Sequence, residues 1–186
     1  GLSLGECAAI LVIEDRDRAR ARGARVVAEI AGFGMAADAH HMTAPDPEGD
    51  GIARAMRAAL RAAGITVEAV DHVNAHGTGT EQNDRAETRA LRAVLGARAS
   101  EVPVVSIKGM VGHCLGAAGA IEAFATAMAL RHGLVPPTAG LRYPDPDCDL
   151  DHVIGAAREV PLRYALSNSL AFGGNNASLL LRRADG

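Results

Sequence analysis

Two histidines lie in glycine-rich segments that directly follow short apolar runs. His76 begins the segment 76–80, and His113 ends the segment 106–113, which also contains Lys108. Glycines let a ligand approach the backbone, and nearby hydroxyls can hydrogen bond to it. A helix amino terminus and an ammonium group disfavour the imidazolium, which favours a neutral ring at His113. Two neutral imidazoles could donate hydrogen bonds to an oxygen on which negative charge develops.

Alternating strands and helices would position these segments. Apolar runs predict strands over residues 8–13, 26–33, 70–75, 102–106, 164–169 and 177–181. Helical spacing predicts helices over residues 16–22, 52–63, 83–95 and 115–130, with loops over 34–51 and 108–113. This order predicts an α/β fold, with a mixed, mostly parallel sheet and helices on both faces. Loops at the carboxyl ends of such strands gather at one edge, so the histidine loops and a third loop, 172–174, could converge.

The composition argues against several classes of protein. A formal net charge of −3 over 186 residues does not suit a nucleic-acid binder. The apolar run 8–13 is too short to span a bilayer, and no cationic leader precedes it, so we expect no membrane insertion. Histidines 40, 41 and 72 show no metal-ligand spacing, and we expect no metal. Three scattered cysteines without a CxxC motif favour a reducing cytoplasm.

Three motifs occur in the order found in β-ketoacyl synthases, and the resemblance covers nearly the whole chain. They are the segment 73–80, the segment 106–119, which ends in Gly-Ala-Ala-Gly, and the segment 168–174. Residues 82–88 and 136–138 resemble the stand-alone elongating type II enzymes. The resemblance implies a thiolase-like fold built of two similar halves. Residues 23–186 would be the carboxyl-terminal domain, and residues 1–22 would be the last strand and helix of the amino-terminal half.

The resemblance also implies an activity and partners. Enzymes of this family perform a decarboxylative Claisen condensation of malonyl-acyl carrier protein with an acyl thioester, in fatty-acid or polyketide synthesis. Their substrates are carried on the phosphopantetheine arm of the carrier protein, so no separate cofactor is expected. The expected partners are an acyl carrier protein, the amino-terminal half that bears a nucleophilic cysteine, and a second subunit in a homodimer or ketosynthase-like heterodimer.

The resemblance assigns catalytic roles to particular residues. His76 and His113 would donate hydrogen bonds to the malonyl thioester oxygen during decarboxylation, and Lys108 would orient and polarise the second histidine. Phe172 would be a gate residue whose backbone N–H, with Gly173 beside it, helps to bind the acyl oxyanion.

Four further residues would support the site. The hydroxyls of Thr78 and Thr80 would hold the phosphopantetheine arm. Glu87 and Asn168 would be structural residues near the site.

The sequence also departs from the family pattern. The nucleophilic cysteine in its Ala-Cys-Ser context is absent, so this chain alone is predicted to be inactive in condensation. Cys7 and Cys148 are not expected to substitute for it, because Cys7 stands where the family usually has glycine and acids near Cys148 would raise the pKa of its thiol. Cys114 is expected to be a core thiol. Gly109 and Ala171 replace the residues usual after the lysine and before the gate phenylalanine.

Other readings of the sequence stay open. The chain could be a non-catalytic partner subunit of the chain-length type, although such subunits typically lack the histidines and the lysine. It could also be a thiolase-like acyltransferase or hydrolase that does not consume malonyl groups. The arginines between residues 16 and 25 could contact an acidic carrier protein, but a solvated face is the simpler interpretation.

Overall fold

The computed structural model describes residues 1–184, which form a five-stranded mixed sheet with helices on both faces. The elements in chain order are α1 (Arg16–Ala21), β1 (Ala28–Ala37), α2 (Asp50–Ala63), β2 (His72–Asn74), α3 (Glu81–Leu95), β3 (Val104–Val105), α4 (Lys108–Val111), α5 (Ala118–His132), β4 (Leu134–Val135), β5 (Arg158–Glu159), β6 (Tyr164–Ala171) and β7 (Asn175–Arg183). Short 3₁₀ helices lie at Val67–Ala69, Gly96–Ser100, Leu115–Ala117 and Pro146–Cys148.

The strand order in the main sheet is β1-β7-β6-β2-β3. β2 pairs in parallel with β3 and β6, whereas β7 pairs antiparallel with β6 and β1. The predicted mixed sheet is confirmed, but its pairings divide evenly between the two types. The β6–β7 pair is antiparallel because β6 turns back into β7 through Gly173 and Gly174, both of which have positive φ values that favour glycine.

The two faces of the sheet carry different helices. α2 and α3 pack on one face, where Ile52, Met56 and Leu91 meet Leu166 and Leu180 of the central strands. α5 packs on the other face, where Leu130 and Ala129 join a smaller cluster with residues of β3, β6 and β7. The α2 and α3 residues recur at helical spacing, which is the pattern that buries one stripe of a helix. Within residues 1–184, no helix is both long and apolar enough to cross a membrane.

The predicted strand over residues 8–13 is wrong for the described structure. This segment has no strand partner among residues 1–184, and the side chains of Ile10 and Val12 are 92% and 88% exposed. A buried strand needs neighbours on both edges, and the apolar run alone does not supply them. The helix that follows it is confirmed at Arg16–Ala21, and the Asp15 side chain caps its first turn.

The preceding residues instead lie against the loop that contains His113. The backbone N–H of His113 donates to the Ser3 carbonyl at 2.7 Å, and the N–H of Gly5 donates to the His113 carbonyl at 3.1 Å. A Cβ atom on Gly5 would lie 2.1 Å from the Val111 carbonyl oxygen, and one on Gly112 would lie 2.8 Å from the Cα of Gly5. The two backbones therefore touch where neither residue has a side chain.

Several element boundaries differ from those predicted. β1 extends to Ala37, so the loop predicted from residue 34 begins later. α3 begins at Glu81 with Thr80 as its N-cap residue, two residues before the predicted start, because Asn83 is buried in the first turn rather than free to cap it. The predicted loop 108–113 contains the single helical turn α4.

Candidate active site

His76 lies just beyond the carboxyl end of β2, and its backbone is fixed by Glu87 of α3. The two carboxylate oxygens of Glu87 accept hydrogen bonds from the N–H groups of His76 and Gly77, both at 2.9 Å. The Ser106 hydroxyl donates to the Gly77 carbonyl at 2.7 Å. Two residues that are distant in sequence, Glu87 and Ser106, thus hold the turn that positions the His76 side chain.

The imidazole rings of His76 and His113 meet edge to face. Their centroids are 5.3 Å apart and their planes lie at 83°. The Leu115 backbone N–H donates to His113 Nδ1 at 3.3 Å, and Lys108 Nζ lies 3.3 Å from His76 Nδ1. Each Nδ1 therefore acts as an acceptor, which places the proton of a neutral ring on Nε2. Both rings can then donate an Nε2–H.

Burial keeps both rings uncharged. It lowers the pKa of His76 to about 3, and the charge on Lys108 and the neighbouring His113 add to this effect. The pKa of His113 is also lowered, first by burial and then by Lys108. The neutral imidazoles expected from the sequence are therefore favoured, but desolvation and not a helix dipole is the main cause, since α5 begins only at Ala118.

Lys108 contacts the first histidine and not the second. Its Nζ atom donates to the His76 carbonyl, lies beside His76 Nδ1 and forms a buried ion pair with Glu122 of α5. Among the described residues Lys108 makes no hydrogen bond to His113, but its charge is one of the causes that lower the pKa of His113. The role expected for Lys108, to orient and polarise the second histidine, stays a prediction.

Glu122 is a residue that the sequence reasoning missed. It is 1% exposed, and its second carboxylate oxygen has no hydrogen-bond partner among residues 1–184. Burial raises its pKa to about 7 despite the ammonium group beside it. A lone acid in the otherwise uncharged stretch from Ala118 to Leu130 was the available signal, because an acid in an apolar helix needs a partner.

One of the two threonines predicted to hold a substrate arm lines an open cavity of about 1040 Å³. Thr78 is part of its lining, together with Lys108 and His113. The Thr78 and Thr80 hydroxyls lie 2.8 Å apart and are half-buried, so they form one polar pair. The Thr78 hydroxyl and one of the two imidazoles, that of His113, thus lie on the walls of a single cleft.

The predicted gate residue lies apart from this cleft. The Phe172 side chain is 76% exposed and is not among the residues that line the cavity. Gly173 donates its N–H to the Met42 carbonyl at 2.7 Å, and Asn176 bonds to Asp38 at 2.6 Å. The loop 172–174 is thus tied to the segment 38–42, a support that the sequence did not reveal. The described residues do not bring the third loop onto the two histidines.

Asn168 connects β6 and β7 to the histidine turn. Its amide nitrogen donates to Glu87 at 3.2 Å, and its amide oxygen accepts from the Ser178 hydroxyl at 2.8 Å. Both Glu87 and Asn168 are buried, and burial raises the pKa of Glu87. These contacts connect the backbone of the His76 turn, through Glu87, to the two central strands.

The remaining histidines and cysteines lie elsewhere. His72 is buried against the Pro103 carbonyl, while His40 and His41 are exposed. Cys114 is buried as expected, and burial raises the pKa of its thiol; burial also raises that of Cys148, with Asp145 and Asp84 adding to the effect. Among residues 1–184, no three His, Cys, Asp or Glu side chains are grouped to hold a metal ion.

Comparison with known proteins places this geometry in a family. The model of the β-ketoacyl synthase carboxyl-terminal domain matches residues 27–142. Nodulation protein E of Rhizobium sp. (strain N33) is 51% identical over 98% of this chain. The 3-oxoacyl-[acyl-carrier-protein] synthase 2 of Synechocystis sp. (strain ATCC 27184 / PCC 6803 / Kazusa) is 47% identical over the same share. The chain spans 45% and 44% of the length of these two relatives.

A solved structure shows the same fold. The ishigamide ketosynthase/chain length factor matches 91% of this chain and 41% of its own chain, with a TM-score of 0.87 and 46% sequence identity. The expected thiolase-like arrangement of a mixed sheet with helices on both faces is thereby confirmed. On these grounds the chain belongs to the β-ketoacyl synthase family and contains its carboxyl-terminal domain.

Proposed function

We propose that the protein to which this chain belongs is a β-ketoacyl-acyl carrier protein synthase. The observation that carries the proposal is the pair of neutral imidazoles, 5.3 Å apart, with both Nε2 atoms free to donate. When malonyl loses carbon dioxide, the carbon–carbon bond breaks and its electron pair forms an enolate. The negative charge then develops on the thioester oxygen, where two such donors stabilise the transition state.

The proposal assigns Lys108 and Glu122 to positioning. The ammonium group faces Nδ1 of His76, so it keeps that atom in its acceptor role and the proton on Nε2. Glu122 supplies the counter-charge that lets the amine stay protonated while it is buried. Thr78 and Thr80 would hold the phosphopantetheine arm at the mouth of the cleft, and Phe172 and Gly173 would act as the gate.

The nucleophile of this reaction would come from residues outside this chain. Cys114 and Cys148 are buried, and burial raises the pKa of both thiols, which disfavours the reactive thiolate. The proposal therefore assigns residues 1–22 to the end of an amino-terminal half and residues 23–186 to the carboxyl-terminal domain. The chain alone would not condense acyl groups. The much greater length of its relatives supports this division.

The proposed partners are an acyl carrier protein and a second ketosynthase-like subunit in a dimer. The name of the Synechocystis relative, which includes the acyl carrier protein, supports the first partner. The ishigamide structure, which contains a ketosynthase and a chain length factor, supports the second. Three free thiols are compatible with the reducing cytoplasm that we propose as the location.

A non-catalytic subunit of the chain-length type is the second candidate, because the ishigamide structure contains a chain length factor beside its ketosynthase. The buried Lys108–Glu122 pair under His76 speaks against it, since a subunit that only shapes a tunnel needs no such charges.

Malonyl decarboxylation tests the choice between the two. The chain would be combined with an amino-terminal half patterned on its relatives, and carbon dioxide release from malonyl-acyl carrier protein would be measured. Replacing His76 or His113 by alanine should lower the rate about 100-fold or more, as loss of an oxyanion donor does. His132→Ala, an exposed histidine at the end of α5, is the matched control. Equal rates in all four proteins would overturn the enzyme proposal.

A further inference from the structure

Two cysteines that are far apart in the sequence, Cys7 and Cys114, lie on segments that meet beside the His113 loop. Leu4 pairs with His113 as an isolated parallel bridge, which fixes the register of the two segments. Side chains two residues apart in an extended segment point to the same side, so Cys7 shares its side with Gly5. A Cβ atom on Gly5 would lie 3.1 Å from Cys114 Sγ. The Cys114 thiol thus occupies the space that Gly5 leaves open, next to Cys7.

The two thiols lie on segments that pack together, and they differ in exposure. Cys7 lies two residues after Gly5, whose Cβ position is beside Cys114 Sγ, and Cys7 is one of the groups that raise the pKa of the Cys114 thiol; both thiols are free. Cys114 is 7% exposed, and burial is the main reason why the pKa of its thiol is raised. Cys7 is half-buried, so a small oxidant meets Cys7 first. An accessible thiol with a second thiol beside it is the arrangement found at reversible disulfides.

We propose that Cys7 and Cys114 are a redox-sensitive pair, which a low-molecular-weight disulfide such as oxidised glutathione converts into an intramolecular disulfide. The Cys7 thiolate attacks one sulfur of glutathione disulfide, and one glutathione leaves as its thiolate. The Cys114 thiolate then attacks the Cys7 sulfur and expels the second glutathione. The two protein thiols lose two electrons and two protons, and glutathione disulfide is reduced to two thiols.

The disulfide would join the amino-terminal segment to the residue that follows His113. That segment already contacts His113 through two backbone hydrogen bonds, from the His113 N–H to Ser3 and from the Gly5 N–H to the His113 carbonyl. A covalent link at Cys114 makes this contact permanent and restricts the movements of the His113 loop. The inference concerns thiol chemistry only, so it holds whether or not the protein condenses acyl groups.

Thiol counting and peptide mapping test the proposal directly. The reduced protein has three thiols, and after treatment with oxidised glutathione it should have one. The intact mass should fall by about 2 Da, which is the loss of two hydrogens. Digestion without reductant should yield one cross-linked species that joins the peptides of Cys7 and Cys114, and dithiothreitol should separate them. The reaction should accelerate as the pH rises, because the buried thiol must ionise to resolve the mixed disulfide.

Two variants serve as controls. Cys148→Ser should leave the cross-link unchanged, because that thiol lies in a separate 3₁₀ helix. Cys7→Ser should abolish the cross-link and leave Cys114 free or in a glutathione adduct, with circular dichroism confirming that the variant folds. A cross-link between Cys114 and Cys148, a disulfide between two molecules, or three thiols that survive oxidation would each overturn the proposal.

Discussion

The two faces of the central sheet differ in the side chains that their helices expose. α2 presents exposed arginines outward at positions 54, 57 and 61 and buries its apolar residues against the sheet. α5 carries no charge between Ala118 and Leu130 except the buried Glu122, and Phe124 on its outer side is 48% exposed. The apolar residues 10–13 lie exposed near the same face and line one groove with Phe124. The outer surface of α2 is polar, whereas the face that carries α5 presents apolar surface typical of an interaction site.

This difference bears on the proposed function. A helix that is apolar on all sides is usually buried on all sides. α5 is covered by the sheet on one side only, and the relatives of this chain are more than twice as long. The α5 face is where the proposed amino-terminal half would lie.

The largest effect is expected when the same substitution, isoleucine to alanine, is made on each face of the sheet. We call the face covered by α2 and α3 the closed face and the face that carries α5 the open face. Ile52→Ala on the closed face should lower the free energy of unfolding by about 2 to 5 kcal/mol, because it leaves a cavity in the packed core. Ile10→Ala on the open face should cost less than about 0.5 kcal/mol, as an exposed site does. Urea denaturation of both variants would measure this, and equal losses would mean that the open face already carries packing energy.

A substitution on the inner side of α5 should lower the free energy of unfolding about as much as one on the closed face. Glu122→Gln should lower the free energy of unfolding by about 3 kcal/mol, because the Lys108 ammonium is left buried without its anion. Glu48→Gln removes the exposed partner of Arg89 and should cost less than about 1 kcal/mol. Thermal unfolding of both variants gives the comparison. A loss below that of Glu48→Gln would show that the Lys108 pair is solvated.

Acid should lower the stability of the folded protein, because His72 is buried in its neutral form. Burial lowers the pKa of His72 to about 4, below the value of 6.5 for an unfolded histidine. The unfolded state therefore binds more protons between these values, so stability falls as the pH drops through that window. The contribution of His72 should reach roughly 2 to 3 kcal/mol at pH 4.

Chemical denaturation from pH 7 to pH 4 would measure this slope. His72→Asn keeps a donor for the Pro103 carbonyl and should flatten the profile, whereas His40→Ala at an exposed site should not. Parallel profiles for all three proteins would contradict the assignment of the slope to His72.

The smallest effect is expected on the outer side of α5. Phe124→Ser should change the free energy of unfolding by less than about 0.5 kcal/mol in this chain, since the ring is half-exposed. The same change should weaken association with an added amino-terminal half, which size-exclusion chromatography can follow. Unaltered association would show that the α5 face is not the surface of contact.

The sequence predicted the parts that depend on local pattern. Strand β2 followed by a glycine-rich turn placed His76 at a strand end, and helical spacing placed α2 within two residues of its start. The partner of Lys108 could not be predicted, because Glu122 lies 14 residues on and reaches the amine only after α5 has packed on the sheet. The segment 8–13 misled for the opposite reason: its local pattern is that of a buried strand, but strands also require neighbours.

The contact between Gly5 and Gly112 has a consequence for how substitutions there combine. The two positions lie far apart in the sequence, yet a Cβ atom on either glycine would lie within about 3 Å of the backbone of the other glycine's segment. An alanine at either position must separate the same two strands of chain. Once an alanine at the first position has separated the two segments, an alanine at the second position needs little further separation. The two costs should therefore be strongly non-additive, so that a double-mutant cycle reads out the closeness of the two segments as a coupling energy.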